Sequence, residues 1–586
     1  MRDQPRTLTE LLLRAGERSD VGLRVLDRRG VPTWLPWSLV LERARCAAAG
    51  LLELGVRRGD RIALVYPTRP EFLDAFFGAL LAGAVPVPLY PPVRFGRLDE
   101  YHQRTARMLE AVDARLVLAD AWVRAVIGDL IAHVRPALGC HGLTRLPARG
   151  ADPVSVDAGD LALVQFSSGT TRDPKPVALT HNAVVAQAVL LNNFWPDDEA
   201  TCHSGVSWLP LYHDMGLIGC VCAALERPGT LTMIPPEAFV ARPAVWLQTI
   251  SRFRATVSPA PNFAYSLCTQ RIRDEEMEGV DLSSWRVALC GAETVVANVM
   301  RAFRDRFARW GFRPEALTPV YGLSEAALAV TFTEPGCGFS SRRFDRRALA
   351  GGIAREADAG REIVSLGRPV SGFELRIEDD YGNMTCEGNV GRVLCRGPSL
   401  MQGYLGHPEA TAGTLRGGWL DTGDAGFLLH GELFLTGRRK DILLIRGSNH
   451  SPEEVEAAAQ TVEGVRTGCV VAVSWLPESA DGERLLVLAE ARRHIGGARF
   501  GAIARACREA IASATGLVPE RVVVLPAGTL PRTSSGKLRR QDALLRFLTG
   551  DLTQPRMARL RLAAAVVRSA CAYWRTFWRR RAHVTP

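Results

Sequence analysis

Three lysines stand out in a 586-residue chain that otherwise carries its positive charge on arginine. Of 72 basic residues only Lys175, Lys440 and Lys537 are lysines. Drift toward arginine, as in a GC-rich genome, spares lysine mainly where a compact, mobile ammonium is needed and a planar guanidinium fails. Three surface lysines surviving by chance are the plain alternative. Lys175 shows where to look first. It closes the run Ser167, Ser168, Gly169, Thr170, Thr171, Arg172, Asp173, Pro174, whose hydroxyls and backbone N–H groups can converge on an oligophosphate while the ammonium adds a point charge. No Gly-Lys-Ser/Thr closes the run, so it is not a Walker loop; a Ser/Thr/Gly run is also the composition of an ordinary turn. Before it, Leu161–Phe166 reads as a short buried strand, and after it Val177–His181 is expected to open a helix.

Further groups suited to chemistry follow in order: Gly291-Ala292-Glu293, Tyr321-Gly322-Leu323-Ser324-Glu325, the stretch from Trp419 to Asp424, the stretch from Gly437 to Asp441, and Pro531 to Lys537. All three lysines fall within the phosphate-loop candidate and these groups. In sequence and order they resemble the adenylate-forming superfamily of acyl-CoA synthetases, luciferases and peptide-synthetase adenylation domains, along most of the chain. The resemblance implies ATP and Mg²⁺ as cofactors. Ser167, Ser168, Gly169, Thr170, Thr171 and Lys175 would then hold phosphates, and Gly291, Ala292 and Glu293 would lie along the adenine. Tyr321 and Gly322 would belong to the adenine-stacking motif, with Glu325 holding the metal. Asp424 and Arg438 would bind the ribose, Lys440 would be the hinge, and Lys537 the catalytic lysine.

The chemistry fits those residue types. Adenylation is attack by a carboxylate on the α-phosphorus of ATP with loss of pyrophosphate. Both reactants are anions, so the need is charge neutralisation and alignment rather than a general base. Lys537 can bridge the carboxylate and the α-phosphate, Mg²⁺ at Glu325 can offset pyrophosphate charge, and Asp424 can accept from ribose hydroxyls.

The stretch from Trp208 to Gly219 narrows the resemblance to fatty acyl-AMP ligases, which pass a fatty acyl group to the phosphopantetheine of an acyl carrier protein. The segments Leu81–Pro92 and Gly447–Pro452 are similar to the same subgroup, and Phe339–Ile363 corresponds to its extra segment. His213, with Met215, would lie near the acyl or acyl-phosphate pocket and is carried as a catalytic candidate; a structural histidine is the alternative. Pro176 departs from the family's glycine and removes an N–H donor. A fatty acyl-CoA synthetase using free coenzyme A is the rival reading. Amino-acid adenylation is disfavoured, since no aspartate is placed for a substrate ammonium. A catalytically inactive nucleotide- or acyl-binding homologue is the reading from another class, opposed by the retained lysines.

The scaffold expected to position these groups is α/β. It comprises a large N-terminal domain of mixed sheets packed with helices (1–436), a hinge (437–441), a small mobile α+β lid (442–550) and a basic amphipathic tail (551–586). Lys537 lies over a hundred residues beyond Asp424 and must reach the site by lid closure. The lid's first helix should be N-capped by Ser451, with Pro452 at its first position and Glu454 completing a capping box. Composition is globular, with 47% hydrophobic and 23% charged residues. The apolar stretch Ala75–Leu89 is short and carries Pro86 and Pro88, which excludes a membrane span. Thirteen scattered cysteines without a Cys-x-x-Cys pair, and a start that lacks a secretory pattern, point to reduced thiols in the cytoplasm. Eight arginines against Asp551 in 551–586 supply +7 of the net +10, so the body is no nucleic-acid binder. In the tail, Leu560, Val567, Cys571, Trp574 and Trp578 share a helical stripe beside Arg561, Arg568, Arg575 and Arg579. A membrane interface, an acidic carrier protein and packing on the protein's own body are the three options.

Overall fold

The computed structural model describes residues 5–92, 97–143, 147–167, 174–194, 203–445, 448–475, 483–533, 536–552, 563 and 565–572. A nine-stranded sheet forms the centre of the large domain. Six neighbouring strands run parallel: Leu317–Gly322, Val287–Gly291, Val257–Pro261, Ser204–Ser207, Thr230–Met233 and Gly22–Leu26. Antiparallel strands close both edges. Parallel strands are covered on both faces and so read as continuous apolar runs; Val287–Gly291 is buried at every residue. A second, all-parallel sheet holds Arg61–Val65, Val85–Pro88, Leu116–Ala119 and Cys140–His141. The apolar stretch Ala75–Leu89 therefore divides into the end of helix Pro70–Leu81 and the strand Val85–Pro88. No described helix is long and apolar enough to cross a membrane.

One local expectation fails. The residues after the phosphate loop form a strand, Pro176–Thr180, paired antiparallel with Leu161–Phe166 on one side and Gly403–Tyr404 on the other. Both of its faces are buried, so the polar alternation that marks a half-exposed strand is missing from the sequence. The helix begins one residue later, at His181, with the Thr180 hydroxyl accepting from the Ala183 N–H at 3.2 Å. Pro176 occupies the strand's first position, where a missing N–H is tolerated.

The lid is a three-stranded sheet, Val465–Trp475, Arg484–Ala491 and Arg521–Leu525. Its alternation sorts side chains to two faces. Val470, Ala472 and Val487 pack with helices Pro452–Gln460 and Phe500–Thr515, whereas Val471, Val473 and Leu488 pack with helix Arg540–Leu548. Ser451 is the N-cap and Pro452 the first residue of its helix, as the sequence implies, but the capping box does not form. Ser451 donates instead to Glu453 at 2.7 Å, and Glu454 is drawn to Arg346 across the domain boundary. Arg346 belongs to the segment Phe339–Ile363. There, strand Ser341–Phe344, helix Arg346–Ala350 and strand Arg361–Val364 form a small hairpin unit. Phe344 anchors this unit, with ring centroids 5.0 Å from Phe427 and 5.8 Å from Phe434.

Candidate active site

Because six strands run parallel, their C-terminal ends share one edge, where ligands of open α/β sheets bind. The segments leaving that edge carry Trp208–Met215, Asn262–Phe263, Ala292–Glu293 and Leu323–Glu325 into one cleft of about 2750 Å³, closed on the far side by the lid. The lid is held by contacts spread along the boundary. Arg546 pairs with Glu100 at 3.0 Å, Arg97 donates to the Thr529 carbonyl at 2.8 Å, and Thr467 donates to Gln270 at 2.6 Å. Lys537 thereby enters the cleft, where burial and the neighbouring Arg438 charge lower its pKa while Asp214, Glu293 and Asp424 act to raise it.

Asp424 and Arg438 face each other across the strands Trp419–Leu429 and Glu432–Arg438, with an ion pair at 3.2 Å. Tyr321 donates its hydroxyl to Asp424 at 2.6 Å. Burial pushes the Asp424 carboxyl up, and Arg438 and Tyr321 pull it back. Gly322 is dictated by packing: a Cβ there would sit 1.7 Å from the Leu328 carbonyl oxygen. That close approach aims the turn Ser324–Ala326, and with it Glu325, into the cleft. Glu325 accepts from the Tyr404 hydroxyl at 2.8 Å, and the Lys175 ammonium lies 4.4 Å from the centre of the same tyrosine ring. Burial, then the nearby charge of the exposed Lys440, lowers the Lys175 pKa.

The candidate phosphate loop is closed at its base. Ser167 N–H donates to the Lys175 carbonyl at 2.9 Å, and Lys175 N–H donates to the Ser167 hydroxyl at 3.2 Å. Ser167's backbone N–H is thus occupied within the hairpin. Ser168, Gly169, Thr170 and Thr171 lie outside the described residues. Gly291 ends its strand where a Cβ would meet Val320 at 2.6 Å, and Ala292 turns the chain with φ +66. The Glu293 carboxylate accepts from the Phe263 N–H at 2.5 Å, bracing one wall, and burial raises its pKa. His213 is the N-cap of the short turn Asp214–Gly216 and pairs with Asp214.

Several residues at the site were not singled out from the sequence. Asp214 is buried, and burial opposes its charge. His213, the Ser324 hydroxyl and Lys537 together outweigh burial and hold the carboxyl at about 2. Its only sequence signal is its place beside His213 within the Trp208–Gly219 motif. Tyr404 sits on a two-residue strand with no motif of its own. Arg540 follows Lys537 by three residues and binds Asp441, Glu453 and Glu456 at 2.8–2.9 Å. Apolar side chains, among them Trp208, Met215, Leu267, Val299 and Phe332, line another part of the cleft. Among the described residues no cluster of three or more His, Cys, Asp or Glu could hold a metal. A single carboxylate beside bound phosphates is nevertheless the usual provision for Mg²⁺, and Glu325 fits that provision.

The AMP-binding enzyme family matches residues 20–405. A Caulobacter vibrioides protein provisionally named an acyl-CoA synthetase is 33% identical, over 93% of this chain and 96% of its own. The Mycobacterium marinum 4-hydroxyphenylalkanoate adenylyltransferase is 35% identical over 90% and 88%, and the long-chain-fatty-acid–AMP ligase FadD26 of the same organism 33% over 89% and 93%. A solved structure from work on the fatty acyl-adenylate ligases of E. coli and L. pneumophila superposes with TM-score 0.85 at 32% identity, covering 93% of this chain and 98% of that one. Sequence, fold and relatives agree: the chain belongs to the AMP-binding, adenylate-forming ligase family and resembles its fatty acyl-AMP ligases along about nine-tenths of its length.

Proposed function

We propose that this protein couples a fatty acid to AMP, releasing pyrophosphate, and then transfers the acyl group to the phosphopantetheine thiol of an acyl carrier protein. The observation that carries the reading is that one cleft holds Lys537, the cluster of Asp424, Arg438 and Tyr321, and the cluster of Lys175, Tyr404 and Glu325. In this reading Asp424 accepts from the ribose hydroxyls with Arg438 fixing its orientation, and Tyr321 flanks the adenine. Lys175 neutralises the outer phosphates together with the loop residues Ser168, Gly169, Thr170 and Thr171, while Gly291, Ala292 and Glu293 shape the nucleotide wall. Mg²⁺ held through Glu325 would supply charge neutralisation for departing pyrophosphate. Lys537 lies between the two anions and lowers their mutual repulsion as the carboxylate oxygen bonds to the α-phosphorus and the bridging P–O bond breaks. Asp214 favours the charged form of Lys537 against burial and Arg438, and His213 positions Asp214.

For the second step the thiol needs the same ground that Lys537 occupies, so the lid must turn about 437–441, with Lys440 at the pivot. The inserted unit is tied to the lid by Arg346 and Glu454, which favours a restrained lid and, with the resemblance to fatty acyl-AMP ligases, the carrier protein over free coenzyme A. Twelve described cysteines are free thiols, in keeping with a cytoplasmic location.

The test offers ATP, Mg²⁺ and a fatty-acid length series with coenzyme A or a phosphopantetheinylated carrier protein, with products identified by mass spectrometry. Acyl-adenylate that persists with coenzyme A and loads the carrier supports the proposal. Rapid acyl-CoA formation overturns its second half, and absence of adenylate with every acid overturns the whole.

A further inference from the structure

The tail is docked on the body by the side of its helix that the sequence gives least reason to notice. Residues 565–572 are helical and lie against helix Ala121–Val134, burying Ala565 (1% exposed), Ser569 (0%) and Ala572 (9%). The approach is close because Gly128 has no side chain: a Cβ there would lie 2.2 Å from the Ser569 hydroxyl and 2.6 Å from its carbonyl oxygen. The Ser569 hydroxyl accepts from the Gly128 N–H at 2.7 Å and donates to the Arg124 carbonyl at 3.2 Å, thus binding both ends of one helical turn. Arg568 pairs with Asp129 at 3.1 Å and Asp99 at 3.6 Å.

An amphipathic helix that served only to pack on its own protein would turn its apolar stripe inward. Here the described members of the stripe, Val567 and Cys571, face out. Val567 is 63% exposed, and Val566 and Cys571 are exposed as well. In the sequence, Trp574 and Trp578 continue from Val567 and Cys571 at spacings of three and four, the interval of one helical face. Leu560, Trp574, Trp578, Arg561, Arg575 and Arg579 lie outside the described residues; their identities alone enter here. Four aromatic residues (Tyr573, Trp574, Phe577 and Trp578) share this tail with eight arginines and one acid.

We propose that the docked tail is an interfacial anchor for an anionic bilayer surface, the outward Val567 and Cys571 meeting the headgroup region and the tryptophans and arginines that follow them in the sequence supplying the further apolar bodies and the charge that binds lipid phosphates. A shallow apolar stripe or a basic patch alone gives weak, reversible attachment, whereas the two together hold. Tryptophan and arginine suit that interface because each has an apolar body and a polar end. The small-residue face fixes the anchor to the body, so attachment also orients the cleft relative to the membrane. The proposal stands independently of the reaction catalysed.

The test is co-sedimentation of the full chain with vesicles of phosphatidylcholine alone or with one-third phosphatidylglycerol. Binding to the anionic vesicles should exceed binding to neutral ones by about tenfold and fall in high salt. The variant Val567→Asp/Trp574→Ser/Trp578→Ser should lose about tenfold of that binding, with acyl-adenylate formation and thermal midpoint as folding controls. A second variant, Arg575→Gln/Arg579→Gln/Arg580→Gln/Arg581→Gln, should lose the preference for anionic lipid while leaving the stripe intact. Failure of the parent to sediment, or undiminished binding by both variants, overturns the proposal. Loss of binding to a purified acidic carrier protein in the stripe variant, with vesicle binding unchanged, would assign the surface to that protein instead.

Discussion

Arg540 offers the sharpest test of how Lys537, the proposed catalytic lysine, is presented. Its guanidinium is enclosed by Asp441 from the proposed hinge and by Glu453 and Glu456 from the lid's first helix, each at 2.8–2.9 Å. Asp441 and Glu456 are buried. Replacing Arg540 with Met keeps much of the volume and leaves these carboxylates without their shared cation. Breaking a buried pair from one side typically costs about 3–5 kcal/mol, a factor of roughly 150 to 5,000 in the lid's folded-to-unfolded ratio. The loss should depend on pH with a definite sign. In the parent, burial opposes the Glu453 charge, but Arg540 and the Ser451 hydroxyl outweigh it, so its pKa is lowered. That contribution is present above the ordinary carboxylate pKa and fades as pH falls through the lowered value. In the variant, burial without a cation raises the carboxylate pKa values, so the penalty is greatest near pH 8 and is relieved on acidification. Glu456 should respond first, because burial already raises its pKa in the parent. Hydrogen exchange of helices Pro452–Gln460 and Arg540–Leu548, followed by mass spectrometry at pH 8 and pH 5.5, reads the difference directly. Arg540→Lys should recover only part of the loss, since an ammonium cannot serve three carboxylates with a planar fork. An Arg540→Met cost below 1 kcal/mol, or one equal at both pH values, would refute the reasoning.

Other outcomes follow from single contacts. Tyr404→Phe removes a charge-assisted hydrogen bond to Glu325 while keeping the ring under Lys175; KM for MgATP should rise about tenfold, read in adenylate-formation kinetics across a Mg²⁺ titration. Asp214→Asn removes an anion that favours charged Lys537, so the alkaline limb of the adenylation pH profile should move to lower pH. Truncation after Leu552 should leave acyl-adenylate formation within about twofold of the parent, because the described polar contacts of the tail are to helix Ala121–Val134 and to Asp99, none of which lines the cleft. In that truncated chain Gly128→Ala should stabilise its helix by about 1 kcal/mol. In the full chain the same change should destabilise, because the new methyl meets Ser569. Exchange rates of residues 121–134 in both backgrounds check the reversal of sign.

The site was legible where chemistry demands a residue type. Lys537, Asp424 and Arg438 belong to motifs that remain recognisable because no other side chain supplies the same charge at the same reach, and the structure gathers them in one cleft. Residues that act on other residues left weaker marks. Tyr404 meets Glu325 across 79 positions, and Asp214 meets Ser324 across 110. Neither pairing has a local spacing to announce it. The fold was legible in its α/β class and in the start of the lid's first helix at Ser451 and Pro452, and failed at Pro176–Thr180, where burial on both faces removes the alternation that separates strand from helix.

The tail carries the most instructive difference between pattern and placement. Its described residues 565–572 are helical, as the spacing of Val567 and Cys571 implies, and packing on the protein's own body was one of the three options that the pattern left open. The pattern alone cannot fix its direction, because a helix can dock through small residues whenever its partner offers a gap. Ala565, Ser569 and Ala572 need only Gly128 opposite them. Hydrophobicity therefore overstates what faces the body and understates the value of backbone approach: here a buried hydroxyl that bonds both ends of one turn takes the place of a large side chain. The physical consequence is a protein that buries Ala565, Ser569 and Ala572 of its tail and leaves the described members of its apolar stripe to water. Such a surface calls for something to cover it.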